Sequence, residues 1–252
     1  MNTAMHSRLG AVAALIVVAI AAAAFFVGFY VLPSQGSGST VWERICRAAG
    51  VVQARSDARA ALPAFTSVVI PHAAMTAGTP EQAGRGATLA LRCTACHGPQ
   101  GMSGADAPNL RGQYAEVIYK QLMDFQRGAR SDAVMGAMVA TLSEHDILDL
   151  SHYYAGLPRS KDDRLASAPA LIRVGDPMRN IAPCASCHGR VDGKVGAPAL
   201  EGEPKAYLQK QLTAFAAGTR MNDANAAMRN EARRLSKDEI DMLTDHYAHA
   251  PL

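Results

Sequence analysis

The 252-residue sequence lacks a large excess of charge of either sign. It has 25 Lys and Arg residues against 22 Asp and Glu residues, which gives a formal net charge of +3. The basic residues form no patch along the chain, so we predict no binding of nucleic acid. The 49% of hydrophobic residues and 19% of charged residues also exclude an intrinsically disordered composition. These proportions indicate a globular protein.

Sequence patterns typical of β-strands are also nearly absent. Apolar residues recur at helical spacing over residues 114–128 and 204–218, and each segment ends in a Gly that can stop a helix. Ser236 and Glu239 form a capping-box pattern, which marks the start of another helix. The sequence therefore predicts an all-α fold.

One long run, residues 9–32, contains no charged or strongly polar side chain. As a helix it would be about 36 Å long, enough to span a hydrocarbon core of roughly 30 Å. A cleaved signal peptide is the alternative, but its apolar region is usually only about 7–15 residues and ends in small residues. This run is longer and ends in bulky side chains. We predict that residues 1–33 are an uncleaved anchor, which crosses the membrane through residues 9–32.

Residues 34–80 follow the anchor, and we interpret them as a tether. The Gly/Ser-rich start indicates a hinge. Residues 41–62 have the pattern of an amphipathic helix, and its apolar stripe includes Trp42. This stripe predicts either a docking face for a membrane partner or packing on the chain's own body. Residues 62–80 contain three Pro residues and are predicted to be extended, and as a flexible coil the tether would reach roughly 35–40 Å.

Four of the five cysteines lie in two C-x-x-C-H motifs, each of which supplies two thiols and one imidazole. These residues are Cys93, Cys96, His97, Cys184, Cys187 and His188. Two Cys residues three positions apart lie on one side of a helical turn, so both thiols can reach the two vinyl groups of one haem. The His that follows can reach the iron. The sequence therefore predicts two covalently attached c-type haems, with His97 and His188 as iron ligands.

The same four cysteines could instead bind one zinc ion or act as redox-active thiol pairs. However, 87 residues separate the two pairs, far more than the roughly 15–20 residues between the pairs of common zinc sites. A thiol oxidoreductase places its Cys pair in a βα unit, and no βαβ pattern exists here. The fifth cysteine, Cys46, has no Cys or His partner at a suitable spacing. We interpret it as an unpaired thiol, with an intermolecular disulfide as the alternative.

The chain repeats itself with a period near 90 residues, which is longer than a solenoid repeat and indicates two tandem domains. We assign the first domain to residues 81–158 and the second to residues 159–252. The two copies share short stretches of sequence outside the C-x-x-C-H motifs. These stretches are Ala107–Leu110 with Ala197–Leu200, Lys120–Leu122 with Lys210–Leu212, and Leu142–Ser143 with Leu235–Ser236.

Each haem iron needs a second axial ligand, and a Met thioether would raise its reduction potential. Such a Met should lie well after the C-x-x-C-H motif, sit in a loop and recur in both copies. Met135 and Met228 satisfy these conditions, since each stands seven residues before the Leu that precedes a capping Ser. Met138 is a weaker candidate because Glu231 occupies the equivalent position, and Met221 is weaker still.

The iron-bound imidazole also needs a hydrogen-bond acceptor for its other ring nitrogen, because that contact fixes the tautomer and the orientation of the ring. Pro108 and Pro198 are candidates to supply a backbone carbonyl from a rigid turn. The alternative is that both prolines are ordinary loop residues.

These motifs together resemble the c4-type dihaem cytochromes over about residues 81–252. The resemblance rests on the paired C-x-x-C-H-G, A-P-x-L and K-Q-L-x-x-F-x-x-G-x-R motifs and on a Met before L-S-x-x-[DE]-I. It implies two tandem class I cytochrome c domains and two His/Met haems whose propionate edges approach each other. The sequence departs from the family pattern at Val117, where Tyr is usual, and at residues 201–203, where Glu-Gly-Glu replaces Gly-Gly-Gln.

The resemblance and the anchor predict a membrane-anchored dihaem cytochrome of the bacterial inner membrane, with its haem domains on the periplasmic side. It would transfer single electrons from a quinol-oxidising donor, such as quinol–cytochrome c reductase, toward a terminal oxidase, as a tethered carrier or a supercomplex subunit. The alternative is an electron-accepting cytochrome subunit of a membrane dehydrogenase. Met on both irons would leave no open coordination position, so we predict no enzymatic activity of its own.

Overall fold

The computed structural model describes residues 15–23, 65–159, 164–189 and 195–250. The chain divides into two compact units, residues 1–59 and residues 60–252. In the first unit, residues 15–23 are helical. Among the described residues, no helix has the length and apolar character needed to span a membrane. The rest of the predicted anchor, the predicted amphipathic helix at 41–62 and Cys46 lie outside the described residues.

The described part of the second unit is built from helices and contains no β-strand. A single antiparallel bridge between Asp176 and Ile181 is its one extended pairing. The predicted all-α fold is therefore confirmed for these residues.

The first half of the second unit, up to residue 159, contains six α-helices among its described residues. They are α1 (His72–Met75), α2 (Pro80–Ala90), α3 (Thr94–His97), α4 (Ala115–Gln126), α5 (Ala133–Val139) and α6 (Glu144–Ala155). Helix α6 packs against both α2 and α4. The contact with α2 is close at Gly86, where a Cβ atom would lie 2.2 Å from the Asp149 carbonyl oxygen. A Gly is therefore required at this crossing.

The second half contains five α-helices among its described residues, and the last four repeat the order of α3 to α6. They are α7 (Ala170–Arg173), α8 (Ala185–His188), α9 (Lys205–Ala216), α10 (Ala227–Ala232) and α11 (Lys237–Ala248). Helix α9 packs against α10 and α11. Helices α4 and α9 lie within the segments 114–128 and 204–218 that the apolar periodicity predicts.

Side-chain caps define where the long helices begin. The Ser236 hydroxyl accepts a hydrogen bond from the Glu239 N–H, and the Glu239 carboxylate accepts one from the Ser236 N–H. This is the reciprocal capping box that the sequence predicts. Ser143 and Asp146 make the equivalent box at the start of α6. The matched caps place α6 and α11 at the same position in each half.

Each half has its own apolar core. The buried core residues of the first half are Ala74, Ala90, Ile118, Tyr119, Met123, Ile147, Leu150 and Tyr154. Those of the second half are Ala168, Leu171, Ile172, Ile181, Leu208, Leu243 and Tyr247, with Cys184 packed against them. The second C-x-x-C-H turn thus rests directly on the core of its own half.

Residues 65–79, which we call the strap, lie against the body of this unit. Val68 and Ile70 pack on the cluster that contains the buried Ala74 of α1. The Thr66 hydroxyl donates a hydrogen bond of 2.7 Å to the carboxylate of Asp124 in α4. The interpretation of the tether as a flexible coil is therefore wrong for residues 65–79. The predicted extended chain holds for residues 65–71, which form no helix, but His72–Met75 are helical. Val68 and Ile70 are partly buried against α4 and α6, whereas Val69 between them stays exposed.

Candidate haem sites

The first C-x-x-C-H motif forms a tight turn at the start of the first half. A 3-10 helix, Leu91–Cys93, continues into α3, so that Cys93 is half-buried and Cys96 is exposed. Gly98 ends the turn with a φ of +70°, and a Cβ atom there would lie 1.7 Å from the Met102 carbonyl oxygen. Only Gly fits this position, which explains the residue that follows the motif. The turn presents two thiols side by side, as attachment of a haem requires.

The His97 side chain is buried and held in one orientation. Its Nδ1 atom lies 2.8 Å from the carbonyl oxygen of Pro108. Burial lowers the pKa of His97, which favours the neutral imidazole. A neutral ring that donates from Nδ1 leaves the Nε2 lone pair as the ligand for a metal ion. His97 is thus prepared for an axial role, with the Pro108 contact at the place the sequence predicts.

The second motif repeats this arrangement. Helix α8 carries Cys187 and His188, and Cys184 precedes it at the N-cap. His188 is buried, and its Nδ1 atom lies 2.7 Å from the Pro198 carbonyl oxygen. Burial likewise lowers the pKa of His188. The two halves therefore hold their histidines by the same contact.

The half-buried cysteine of each motif has a thiol whose ionisation is disfavoured. The described residues contain no cluster of three or more His, Cys, Asp or Glu that could hold a metal ion. Burial raises the pKa of the Cys93 thiol and raises that of Cys184 to about 11. Reactive thiols and zinc ligands need the opposite shift, because the thiolate is the active species.

A buried hydroxyl lies next to the first motif. The Tyr154 hydroxyl lies against Cys93, and no nitrogen or oxygen of the described residues is within hydrogen-bond distance of it. A buried hydroxyl without such a partner is costly in a protein interior. Among the described residues, its one neighbour with hydrogen-bonding capacity is the Cys93 sulfur, which is the atom that would join a haem. The thiols of Cys93 and Cys96 and the oriented His97 fit a covalently bound haem in the first half, and this hydroxyl lies beside its attachment point.

Met135 and Met228, the predicted axial ligands, lie in short helices and not in loops. Met135 is in the first turn of α5, which begins there because the Asp132 carboxylate caps the Val134 and Met135 N–H groups. Met228 is near the start of α10. The expectation of a loop is therefore wrong. Met138 lies three residues after Met135, close to the same face of α5. The assignment of Met135 and Met228 as ligands stays a prediction.

The repeated K-Q-L-x-x-F-x-x-G-x-R motif has a role that the sequence did not reveal. Arg130 donates hydrogen bonds to Gln121 in its own half and to Gln211 in the other half. Arg220 does the same in reverse, toward Gln211 and Gln121. The motif residues therefore join the two halves across a shared interface.

A buried ion pair lies at the same interface. Lys120 Nζ is 2.5 Å from the Asp124 carboxylate and 2.7 Å from the Asn222 carbonyl oxygen. The Asn222 amide also donates to Asp124, at 2.8 Å. Burial lowers the pKa of Lys120. Asn222 lies in the segment between Arg220 and Met228, which is three residues longer than its counterpart in the first half.

A second set of interface contacts lies beside the residues that hold the histidines. The Gln113 amide bonds to both the N–H and the carbonyl of Ala199, each at 3.0 Å. The Glu203 carboxylate accepts a hydrogen bond of 2.8 Å from the Asn109 N–H. Sequence reasoning missed this role. The available signal was that Gln113 and Glu203 occupy equivalent positions in the repeat.

Two covalent haem sites on an all-α scaffold define a c-type cytochrome. The family model for cytochrome c matches residues 83–157. Over 163 residues the chain is 38% identical to cytochrome c4 of Thiocapsa roseopersicina, a match that covers 61% of this chain and 84% of that protein. It is 35% identical over 171 residues to the thiosulfate dehydrogenase electron acceptor of Stutzerimonas stutzeri, which covers 64% of this chain and 79% of that one.

The fold comparison agrees with these relatives. The crystal structure of reduced recombinant cytochrome c4 from Pseudomonas stutzeri superposes with a TM-score of 0.61 at 29% sequence identity. The match covers 69% of this chain and all of that one. The chain therefore belongs to the cytochrome c4 family of dihaem electron-transfer proteins. It carries two covalently attached c-type haems, at Cys93 and Cys96 and at Cys184 and Cys187.

Proposed function

We propose that the chain is a membrane-anchored periplasmic dihaem cytochrome that passes single electrons between respiratory complexes. The observation that carries this proposal is the duplicated contact between a buried histidine and a proline carbonyl, 2.8 Å at His97 and 2.7 Å at His188. Bound haem supplies one-electron chemistry, since its iron alternates between the ferric and ferrous states. Two class I cytochrome c domains in tandem, residues 81–158 and 159–252, would provide one such site each.

The residues of the chain would hold each iron and set its potential. His97 and His188 would be the first axial ligands, and Met135 and Met228 the second. A Met thioether and an apolar surrounding both favour a high potential, because they stabilise the ferrous state. With both axial positions filled by protein, electrons would enter and leave without a bond to substrate.

Fixed packing between the two halves supports transfer between the two sites. Electron transfer is fast only over a short distance between donor and acceptor. The interface that would fix this distance is crossed by the hydrogen bonds of Lys120 and Asp124 to Asn222 and by the Gln113 and Glu203 contacts. Because these groups are buried and paired, separating the halves would remove their hydrogen-bond partners and cost free energy. The halves are therefore expected to move as one body during turnover.

The proposed donor is a quinol-oxidising complex such as quinol–cytochrome c reductase, and the proposed acceptor is a terminal oxidase. The anchor through residues 9–32 would keep the protein at the periplasmic face of the inner membrane, where both complexes lie. The strap packs on the body through residues 65–79, so at most residues 33–64 separate the proposed anchor from the strap. Even as a flexible coil, a segment of that length would reach only about 30–35 Å. This short reach favours a fixed or closely tethered partner.

A second candidate function follows from one of the similar proteins, which is named a thiosulfate dehydrogenase electron acceptor. By analogy, this chain would receive electrons from a membrane dehydrogenase as its cytochrome subunit. Both functions use the same two haems and differ only in the electron donor. They are separated by identifying the complex in which the chain resides.

The test is to solubilise native membranes in mild detergent, separate complexes on a native gel, stain for haem and identify the proteins that migrate with this chain. Co-migration with an oxidase or reductase would support the respiratory link, whereas co-migration with a dehydrogenase would support the second function. As the control, a variant with residues 1–33 replaced by a cleavable signal peptide should appear in the soluble periplasmic fraction. If the unaltered chain is also released by a salt wash, the proposed anchor is wrong.

A further inference from the structure

The peptide group that holds His97 has a second hydrogen bond on its opposite side. The Pro108 carbonyl and the Asn109 N–H belong to the same peptide bond. The carbonyl accepts from His97 Nδ1 at 2.8 Å, and the N–H donates to Glu203 Oε2, also at 2.8 Å. One planar, resonance-stabilised group therefore connects the histidine of the first half to a carboxyl group of the second half.

The equivalent peptide in the second half makes the reciprocal connection. The Pro198 carbonyl accepts from His188 Nδ1 at 2.7 Å, and the Ala199 N–H of the same peptide donates to Gln113 Oε1 at 3.0 Å. Gln113 belongs to the first half. Each half therefore bonds to the peptide group that holds the histidine of the other half. Glu203 of the second half bonds to the Pro108–Asn109 peptide, and the neutral Gln113 of the first half bonds to the Pro198–Ala199 peptide.

Hydrogen bonds in such a chain polarise one another, and a buried site strengthens the effect. Glu203 is 3% exposed and Gln113 is 5% exposed, so water screens neither contact. A stronger acceptor at the peptide N–H moves electron density toward the peptide carbonyl oxygen. That oxygen then attracts the histidine Nδ1 proton more strongly and makes Nε2 a better electron donor. A better donor favours the ferric state and lowers the reduction potential of the iron.

The two acceptors differ in strength. An ionised carboxylate forms a charge-assisted hydrogen bond that is roughly twice as strong as one to a neutral amide. Burial raises the pKa of Glu203 to about 8, while the Asn109 N–H and Arg159 oppose that rise and Glu201 adds to it. Glu203 therefore changes charge within a range of pH in which the Gln113 amide does not.

We propose that Glu203 and Gln113 are positioning residues that each set the reduction potential of the haem in the opposite half, through the Pro108–Asn109 and Pro198–Ala199 peptide groups. With haem bound, one-electron reduction of the first-half site would be accompanied by transfer of one proton from solvent to the ionised Glu203 carboxylate, which forms one O–H bond, and no other covalent bond would change. Reduction of the second-half site would take up no such proton, because the Gln113 amide does not titrate. The inference rests on the axial roles of His97 and His188 in the proposed function, and not on the identity of the partner.

The experiment measures both potentials of the full-length dihaem protein by spectroelectrochemical titration between pH 6 and pH 9. Glu203→Gln should raise one potential at pH 9 by about the equivalent of a tenfold change in the ferrous to ferric ratio, which is 59 mV for one electron. It should also remove most of the pH dependence of that step. Gln113→Glu should lower the other potential. If both variants move the same potential, or each moves both equally, the proposal is overturned.

Tyr207→Phe is the matched control for a loosened interface. The Tyr207 hydroxyl accepts a hydrogen bond of 3.1 Å from Arg130 across the same interface, but it is bonded to neither histidine-bearing peptide. This variant should leave both potentials within a twofold change of the ferrous to ferric ratio. A shift as large as that of Glu203→Gln would mean that interface packing, and not the peptide connection, sets the potential.

A measurement on the unaltered protein covers the case in which a variant does not fold. In the ferrous state, NMR resolves the Nδ1 proton of each axial histidine. One of these two resonances should shift as the pH rises from 6 to 9, and the other should stay constant. Equal shifts or no shift would overturn the proposal. If the axial assignment itself were wrong, the low-spin His/Met spectrum would be absent. If the proposed electron-transfer partner were wrong, the redox titration and the NMR measurement would be unaffected.

Discussion

The two halves of the haem-bearing unit share their attachment chemistry but differ in the polar groups they bury. The histidine contacts are nearly identical, at 2.8 Å to Pro108 and 2.7 Å to Pro198. The contacts at the interface between the halves differ. There the first half contributes the charged pair Lys120 and Asp124, and the second half contributes the neutral Asn222. Haem attachment imposes the same spacing on both halves. An interface needs complementary residues, so two similar domains that face each other must diverge there.

The strap is a second difference, since its apolar side chains pack on the core of the first half. It also contacts the second half, because the Arg229 guanidinium lies 5.0 Å from the centre of the Phe65 ring. Arg229 is the residue directly after Met228. The first half is thus enlarged by a segment that precedes it, while the second half is completed by its own longer loop.

The largest expected effect tests whether the two iron sites are equivalent. Met135→Ala and Met228→Ala should each abolish one low-spin His/Met signature and lower one potential. We expect a step on the order of 0.1 V, within the roughly 0.8 V range that axial ligands set. Optical spectra and redox titration of the purified protein would measure both changes. Met138→Ala is the control on the same helix. If it lowers a potential and Met135→Ala does not, Met138 is the first-half ligand.

The next largest effect concerns the contribution of the buried Lys120–Asp124 pair to the free energy of unfolding. Asp124→Ala leaves the buried Lys120 ammonium without its carboxylate, and breaking such a pair costs about 3–5 kcal/mol. Chemical denaturation followed by haem absorbance would give the change in the free energy of unfolding. Asp245→Ala removes an exposed carboxylate that pairs with Lys205 and should have little measurable effect. Equal losses for the two variants would contradict a special role for the buried pair.

The pH dependence of stability should reveal Glu203, which has no charged counterpart in the first half. Burial raises its pKa to about 8, from an ordinary value of 4.5. The folded protein then keeps a proton that the unfolded chain releases, so the free energy of unfolding should fall as the pH rises from about 5 to 8. The shift sets an upper limit of about 4–5 kcal/mol for this loss. Glu203→Gln should flatten the decline, measured by denaturation at several pH values.

Glu239→Gln provides a comparison, because the pKa of Glu239 is lowered whereas that of Glu203 is raised. The hydrogen bonds from Arg179 hold the pKa of Glu239 at about 2, so its contribution is present above about pH 4.5 and is lost as the pH falls toward 2. The variant should weaken the protein at neutral pH without altering the decline between pH 5 and 8. If that decline persists unchanged in Glu203→Gln, Glu203 is not its cause.

The smallest expected effect concerns the strap. Thr66→Val removes the hydroxyl that bonds to Asp124, and a hydrogen bond to a charged group contributes about 1.5–3 kcal/mol. Hydrogen exchange and limited proteolysis at residues 65–79 should both become faster. Thr76→Val is the control, because its hydroxyl makes only an exposed local bond to the Ala73 carbonyl. If the Thr66 variant matches that control, apolar packing alone holds the strap.

The sequence predicted most of what local chemistry dictates. The C-x-x-C-H turns, the long helices and their caps depend on residues that are only a few positions apart. The acceptor for each histidine lies 10 or 11 positions away in sequence and was predictable because metal-ligating imidazoles need one. The loop expected around Met135 was wrong because the capping effect of Asp132 was overlooked.

The interface could not be predicted in the same way. Gln113 meets a backbone 86 positions away, and Lys120 meets one 102 positions away. No local spacing encodes such pairs, and the repeated Gln and Arg residues of the long motif look like ordinary helix residues. The strap was missed because its prolines indicated an extended chain but did not indicate the surface on which Val68 and Ile70 pack.

The strap also has a mechanical consequence. Among the described residues, Phe65 and Thr66 lie at the amino-terminal end of the strap, where they contact Arg229 and Asp124, so tension applied to the strap from that end would load these contacts before those of Val68 and Ile70. A load at that point would peel the contacts one after another, beginning beside Arg229 and next to Met228. The strap would thus detach under force before the helices that surround the haems unfold.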